Sequence, residues 1–207
     1  MNEPDLIANV FMAVAGAAHY QIKAKELECF ETPVWTAGEI LNRELLTPYV
    51  WDVCCGPGVL AKAAKHRYYK VTATDVFDWG YGKQHDFLKD DHRAVWSWHP
   101  NVSTIFMNPP FSKATEFIEK AHELGFRKIV CFQRFAWWES QGREDFWNKY
   151  PPARIYVCGS RASCWRVGIP QSERKSGTTT AHAWFVYERG QNNHMPSLGR
   201  LYKREAA

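Results

Sequence analysis

From Asp5 to Leu27 the apolar residues Leu6, Ile7, Val10, Phe11, Val14, Ala17 and Ala18 recur at helical spacing. That pattern predicts an amphipathic N-terminal helix within residues 1–28. Phe30-Glu31-Thr32-Pro33 interrupts it, and Thr36 is placed to cap a second short helix running to Leu41. The period then changes. Pro48–Cys54 is a short apolar run that ends in Cys55-Gly56-Pro57-Gly58 and gives way to an Ala/Lys-rich helix from Val59 to His66. Val71–Asp75 and Ser103–Met107 read as further strands, the first stopping at an acid and the second at Asn108-Pro109-Pro110-Phe111. A helix at Lys113–Leu124, with Phe117, Ile118, Ala121 and Leu124 on one face, leads to a strand at Lys128–Phe132. Arg154–Cys158 and Ala181–Tyr187 read as two more strands, with the polar loop Gln171–Thr180 between them.

Strands that alternate with helices imply an α/β fold, a mostly parallel central sheet covered by helices on both faces, with the last two strands as a terminal antiparallel hairpin. Ligands of such sheets gather beyond the carboxyl ends of the strands. With 207 residues, 45% of them hydrophobic, one domain over residues 1–190 is expected. The tail 191–207, rich in Asn, Arg and Lys, is expected to be partly disordered. The longest membrane candidate, Leu6–Ala18, is too short to span a bilayer and lacks a basic leader, so a cytoplasmic protein is expected. Six cysteines without a CxxC pair read as reduced thiols, and no metal site is expected. A net charge of +4 permits a polyanionic partner without requiring one.

Candidate chemistry sits at the strand ends. Gly56 and Gly58 let a ligand approach the backbone, although an ordinary strand-to-helix turn looks the same in isolation. Asp75 lies 19 residues beyond Gly56 and ends the next strand, where an acid accepts hydrogen bonds from vicinal ribose hydroxyls. Asp86 is placed to accept from the amino group of an adenine ring.

With Asn108-Pro109-Pro110-Phe111 added, the chain resembles the class I S-adenosylmethionine-dependent methyltransferases, a Rossmann-like family, and within it the amino-methylating branch. Phe30-Glu31-Thr32-Pro33, upstream of the glycine turn, resembles the motif that precedes it in N6-adenine DNA methyltransferases of the gamma group, found in phages and bacteria. The resemblance implies S-adenosylmethionine as cofactor. It implies that Thr32, Pro33, Asp52, Cys54, Gly56, Gly58, Asp75, Val76, Asp86, Phe87 and Asn108 hold the cofactor, and that Asn108, Pro109, Pro110 and Phe111 serve catalysis. The rings of Phe77 and Phe87 suit either the border of a cofactor adenine or the core.

An exocyclic amine is a poor nucleophile because its lone pair is delocalised. The Asn108 side-chain carbonyl and the Pro109 main-chain carbonyl would accept its two hydrogens and favour a pyramidal nitrogen. Two consecutive prolines stiffen the loop, and Phe111 would stack on a base flipped from the duplex. No general base is evident, and none is needed to discharge the acidic product proton. Such a tetrad also suits RNA adenine or a protein glutamine amide. Two features favour DNA: the ring-rich segment 134–143, with Arg134, Trp137, Trp138 and Arg143, and the cluster of Arg161, Arg166, Arg174 and Lys175 around Trp165. Core packing of those rings and a solvated basic face remain the plainer alternative. No separate recognition domain follows the tetrad, so a short or relaxed target is expected, and monomer and homodimer both stay open. A non-catalytic module of the same fold would be expected to carry damage at Asn108, Asp75 or the glycines, which are all present.

Overall fold

The structure, a computed structural model, describes residues 16, 18–98, 101–174, 179–191 and 195–204. Of the expected N-terminal helix, residues 18–26 are helical (α1), and the part before residue 16 lies outside the described residues. There follow β1 (Phe30–Glu31), α2 (Val34–Leu41), β2 (Tyr49–Asp52), α3 (Val59–His66), β3 (Lys70–Asp75), β4 (Lys83–Gln84), α4 (Arg93–Trp98) and β5 (Thr104–Met107). The second half holds α5 (Ala114–Glu123), β6 (Lys128–Arg134), α6 (Glu144–Lys149), β7 (Arg154–Cys158), β8 (Trp165–Arg166), β9 (His182–Glu188) and β10 (Ser197–Leu201).

Eight strands form one sheet in the order β10-β7-β9-β6-β5-β2-β3-β4. The β2, β3, β4, β5 and β6 strands run parallel, while β9 lies between β6 and β7 and is antiparallel to both. The expected antiparallel pair is therefore β7 and β9, with β9 built into the sheet. Successive residues of each central strand face opposite layers. Trp51, Ile105, Met107, Ile129, Cys131 and Phe185 pack with α4, α5 and α6, whereas Val50, Phe106, Val130, Phe132 and Trp184 pack with α2 and α3. Burial on both sides is what makes these strands read as continuous apolar runs.

The structure departs from the sequence expectations in three places. Helix α2 begins two residues before Thr36, whose hydroxyl does not cap it but donates back to the Pro33 carbonyl at 2.9 Å. Strand β6 extends two residues past Phe132 and delivers Gln133 and Arg134 to the carboxyl edge. Within the tail expected to be partly disordered, Ser197–Leu201 forms the edge strand β10, parallel to β7, with Leu201 buried. No described helix is long and apolar enough to cross a membrane.

Candidate active site

Chain order reverses at β2: β3 and β4 continue to one side of it, β5 and β6 to the other. A crevice opens at such a switch point, beyond the carboxyl ends of the strands. Asp52, Asp75 and Asn108 end or follow β2, β3 and β5. The main cleft is lined by Cys54, Asp75, Val76, Asp86, Phe87 and Asn108, among others, and a smaller hollow joins it through Cys29, Cys54 and Asn108 and adds Thr32, Asp52 and Gly56.

The glycine turn and Asp75 hold each other. The Gly56 N–H, at φ +50°, donates to Asp75 Oδ2 at 2.9 Å, and the Phe77 N–H donates to Oδ1 at 3.1 Å. Burial nevertheless outweighs these bonds and raises the Asp75 carboxyl above the ordinary carboxylate range. Asp52, only 1% exposed, is raised well above that range by burial and by the charge of Asp75. Its Oδ2 accepts the Ala61 N–H at 3.2 Å, but its Oδ1 is buried with no donor among the described residues. A buried, undersatisfied carboxylate oxygen calls for a cationic donor, and an α-ammonium group on a ligand in the adjoining hollow would meet that need. A ribose against Asp75 and an ammonium against Asp52 are both features of S-adenosylmethionine, so these residues fit that cofactor. The Cys54 and Cys55 thiols are pushed up by burial and stay protonated, serving as small apolar groups beside the turn.

Asn108 is oriented without ambiguity. Its Nδ2 donates to the Phe30 carbonyl at 3.1 Å and to Thr32 Oγ1 at 2.9 Å. A main-chain carbonyl only accepts, so the amide cannot be reversed, and the Asn108 Oδ1 is left as the outward acceptor. The segment Phe30–Thr32 thus fixes the asparagine of the tetrad. The Pro109 carbonyl accepts Gln133 Nε2 at 3.2 Å, which leaves it one further lone pair. Phe111 stacks on Phe30 with centroids 5.4 Å apart, and the Arg134 guanidinium lies 4.2 Å from the Phe111 centroid.

Several expected site residues lie elsewhere. Pro33 caps α2 and lines neither hollow. Gly58 is covered by Tyr81, whose Cδ1 would lie 2.3 Å from a Cβ built at that position. Phe87 does border the main cleft, but its ring is nearly all buried in the core, stacked on Phe117 at 5.5 Å and edge-on to Trp51. Trp137 is buried among Phe146, Trp147 and Phe185, and Trp138 packs on Trp147, so the ring-rich segment turns inward because its indoles bury more apolar area there. Arg143 donates to the Trp137 carbonyl, and Arg174 forms a two-point ion pair with Glu31. Lys175 lies outside the described residues. Arg134 of the ring-rich segment is exposed, as is Arg161 of the basic cluster, which bonds the Thr179 carbonyl, while Arg166 lies half-buried 5.6 Å from the Phe30 centroid.

Two contributors carry no sequence motif. Glu28 accepts the Ser112 N–H at 2.9 Å and ties the segment before β1 to the tetrad loop, a bond that lowers its carboxyl pKa. Gln133, 1% exposed, supports Pro109. A polar residue at the end of an apolar strand was the available signal for the second.

A structure from Pyrococcus horikoshii, provisionally described as an RNA methyltransferase, superposes with a TM-score of 0.53 at 16% identity, over 83% of this chain and 97% of that one. A Thermoplasma acidophilum protein matches with a TM-score of 0.48 at 20% identity, over 84% and 98%. A predicted O-methyltransferase of Agrobacterium tumefaciens matches with a TM-score of 0.48 at 11% identity, over 83% and 86%. No protein-family model matches the chain, and no curated protein does. The fold is that of the class I methyltransferases.

Proposed function

We propose that this protein is an S-adenosylmethionine-dependent methyltransferase acting on the exocyclic N6 amino group of adenine in DNA. The observation that carries the reading is the fixed asparagine. Its amide donors are consumed by Phe30 and Thr32, so it presents a lone acceptor at the crevice, beside the acid suited to a ribose.

When bound, S-adenosylmethionine supplies a methyl group on a sulfonium, whose departure needs no proton. Asp75 would hold its ribose and Asp52 its ammonium group. Asn108 Oδ1 and the remaining lone pair of the Pro109 carbonyl accept the two hydrogens of the target amine, withdraw its lone pair from the ring and leave it nucleophilic. Gln133 keeps the Pro109 carbonyl in place, and the prolines spare the loop a reorganisation cost. The target base stacks on Phe111, and exposed Arg134, now lying over that ring, gives way to it. The surplus proton passes from the methylated nitrogen to water.

The case for DNA over RNA rests on the resemblance carried by the upstream motif Phe30–Pro33, since the tetrad suits either acceptor and, of the rings expected to face the nucleic acid, Trp137 is buried and Trp138 half-buried. The Pyrococcus neighbour's description makes RNA the second acceptor to test. The protein is incubated with methyl-labelled S-adenosylmethionine and, separately, unmethylated duplex DNA, unmodified RNA and a protein extract, and the products are digested and resolved. Labelled N6-methyl-deoxyadenosine is the expected product. Label confined to RNA or to glutamine would overturn the acceptor, and no label in any arm would overturn the activity.

A further inference from the structure

Strand β6 ends on Arg134, whose guanidinium lies 4.2 Å from the centroid of Phe111. The same ring is stacked on Phe30, 5.4 Å away. These two neighbours of Phe111 are held very differently. Phe30 pairs with Arg166 in the β1–β8 ladder, and its carbonyl accepts the Asn108 amide at 3.1 Å. Arg134 is exposed, and its side chain has no hydrogen bond or ion pair among the described residues. The acids on either side of Phe30 are engaged elsewhere. Glu28 accepts the Ser112 N–H at 2.9 Å and feels the charge of Arg134 only as the least of the influences that lower its carboxyl, while Glu31 is held by two bonds from Arg174.

A guanidinium is flat and lies over an aromatic face much as a base does. Of the two groups on Phe111, only Arg134 can leave without breaking the hold on Asn108, so a base that stacks on this ring takes the place of Arg134. An exposed cation over a ring is worth roughly two- to fivefold in an equilibrium constant. A ligand that displaces it loses that factor unless it offers the cation a new partner. The phosphates of a nucleotide stand within one arginine side chain of its base and can accept two hydrogen bonds from a guanidinium. A free nucleoside has no phosphate, and a glutamine side chain has neither ring nor charge. Arg166 adds a second cation beside the ring pair, 5.6 Å from the Phe30 centroid, with its buried Nε lacking a hydrogen-bond partner among the described residues.

We propose that Arg134 determines the class of acceptor: it occupies the place of the target base on Phe111 and yields it to an adenine with a flanking phosphate in preference to one without. The acceptor is then a nucleotide within a strand, not a nucleoside or a protein side chain. This rests on the reading of Phe111 as the stacking ring. Once displaced, the guanidinium donates to the flanking phosphate and helps fix the position of the strand. Arg134 acts on binding, and no proton or bond passes through it.

The test uses the full-length protein saturated with S-adenosylhomocysteine, the cofactor without its methyl group, at constant ionic strength. It compares 2′-deoxyadenosine with 2′-deoxyadenosine 3′,5′-bisphosphate, which differ in phosphate alone. Nuclear magnetic resonance follows the Phe111 ring protons, which report stacking, and the Arg134 Nε–H, which reports displacement. In the parent the bisphosphate should bind about tenfold more tightly than the nucleoside, the scale of a hydrogen bond to a charged group, and should shift both signals together. In Arg134→Ala the nucleoside should bind at least as well as it does to the parent, and the preference for the bisphosphate should largely vanish. A merely structural role would weaken both ligands alike and leave the preference intact. That outcome, or Phe111 shifts with an unmoved Arg134 signal, would overturn the role of Arg134 while the stacking ring stands. Phe111 signals that neither ligand moves would overturn the stacking reading and this inference with it, and a glutamine-containing peptide that moves them would make protein the acceptor.

Discussion

Asp52 gives one carboxylate oxygen a donor and leaves the other buried and idle. Its pKa is raised by burial and by Asp75, so the native state binds a proton more tightly than the unfolded chain does. Stability must therefore fall as pH rises from the ordinary carboxylate value, about 3.9, through the raised one. Asp52→Asn keeps an acceptor for the Ala61 N–H and removes the charge. We expect the variant to melt a few degrees higher than the parent at neutral pH, roughly the 2–4 °C that 1 kcal/mol yields at this size, with the difference shrinking in acid. Calorimetry of both across pH checks this. The same variant should bind S-adenosylmethionine about tenfold more weakly, measured by titration calorimetry, because a charged partner for the ammonium group is lost. Equal affinities would mean that Asp52 does not face the cofactor. Asp75 and Asn108 were legible in the sequence because each stands where an apolar run stops, and Asp52, inside such a run, only through the family resemblance. Glu28 and Gln133 were not, since each acts through a single hydrogen bond to a loop distant in sequence.

The glycine turn and the far edge of the sheet are the elements whose energetics are clearest. Gly58 has φ +87°, and a methyl group there would run into Tyr81. Gly58→Ala should cost about 2 kcal/mol or more in denaturant unfolding, and adding Tyr81→Ala should return the steric part but not the backbone part. At the amino end of β6 and β7, Glu44 is 4% exposed and bonds Arg154, Lys128 and Tyr156, while Glu188 pairs with the same Arg154 and Lys128. For Glu44 these bonds outweigh burial and lower the carboxyl pKa. Glu44→Ala should destabilise the fold by about 3 kcal/mol, since it strips a buried partner from two cations. Arg154, acting before and against burial, helps hold Glu188 at about 2. That lowered value contributes stability above the ordinary glutamate value of about 4.3, which is lost as pH falls toward 2. Melting curves from pH 5 to 2.5 should therefore drop more gently in Glu188→Gln than in the parent. The long strands were legible because both their faces are buried. Strands β1, β4 and β8 are two residues long, too short for any period, and β10 buries little besides Leu201.

At the scale of the molecule, the strand order that reverses at β2 gathers Asp75, Asp52 and Asn108 at one crevice, and β1 folds over to clamp the asparagine. Alternating strands and helices made this architecture readable in the sequence. The nucleic-acid face was not readable, because a run such as Phe135-Ala136-Trp137-Trp138 looks alike whether it faces solvent or packs on Trp147 and Phe185. Of the basic residues expected to meet nucleic acid, Arg134 and Arg161 are the exposed ones among the described residues, so binding to the proposed DNA acceptor should depend only moderately on salt. In the proposed reaction the Oδ1 of Asn108 prepares the target amine. Methyl incorporation into unmethylated duplex DNA, compared between the parent and Asn108→Ala with the variant's fold verified, tests it most directly. A fall of at least about a hundredfold is expected, the scale of losing a group that stabilises the transition state, whereas label entering DNA at an undiminished rate in the variant would mean that Asn108 does not act on the amine.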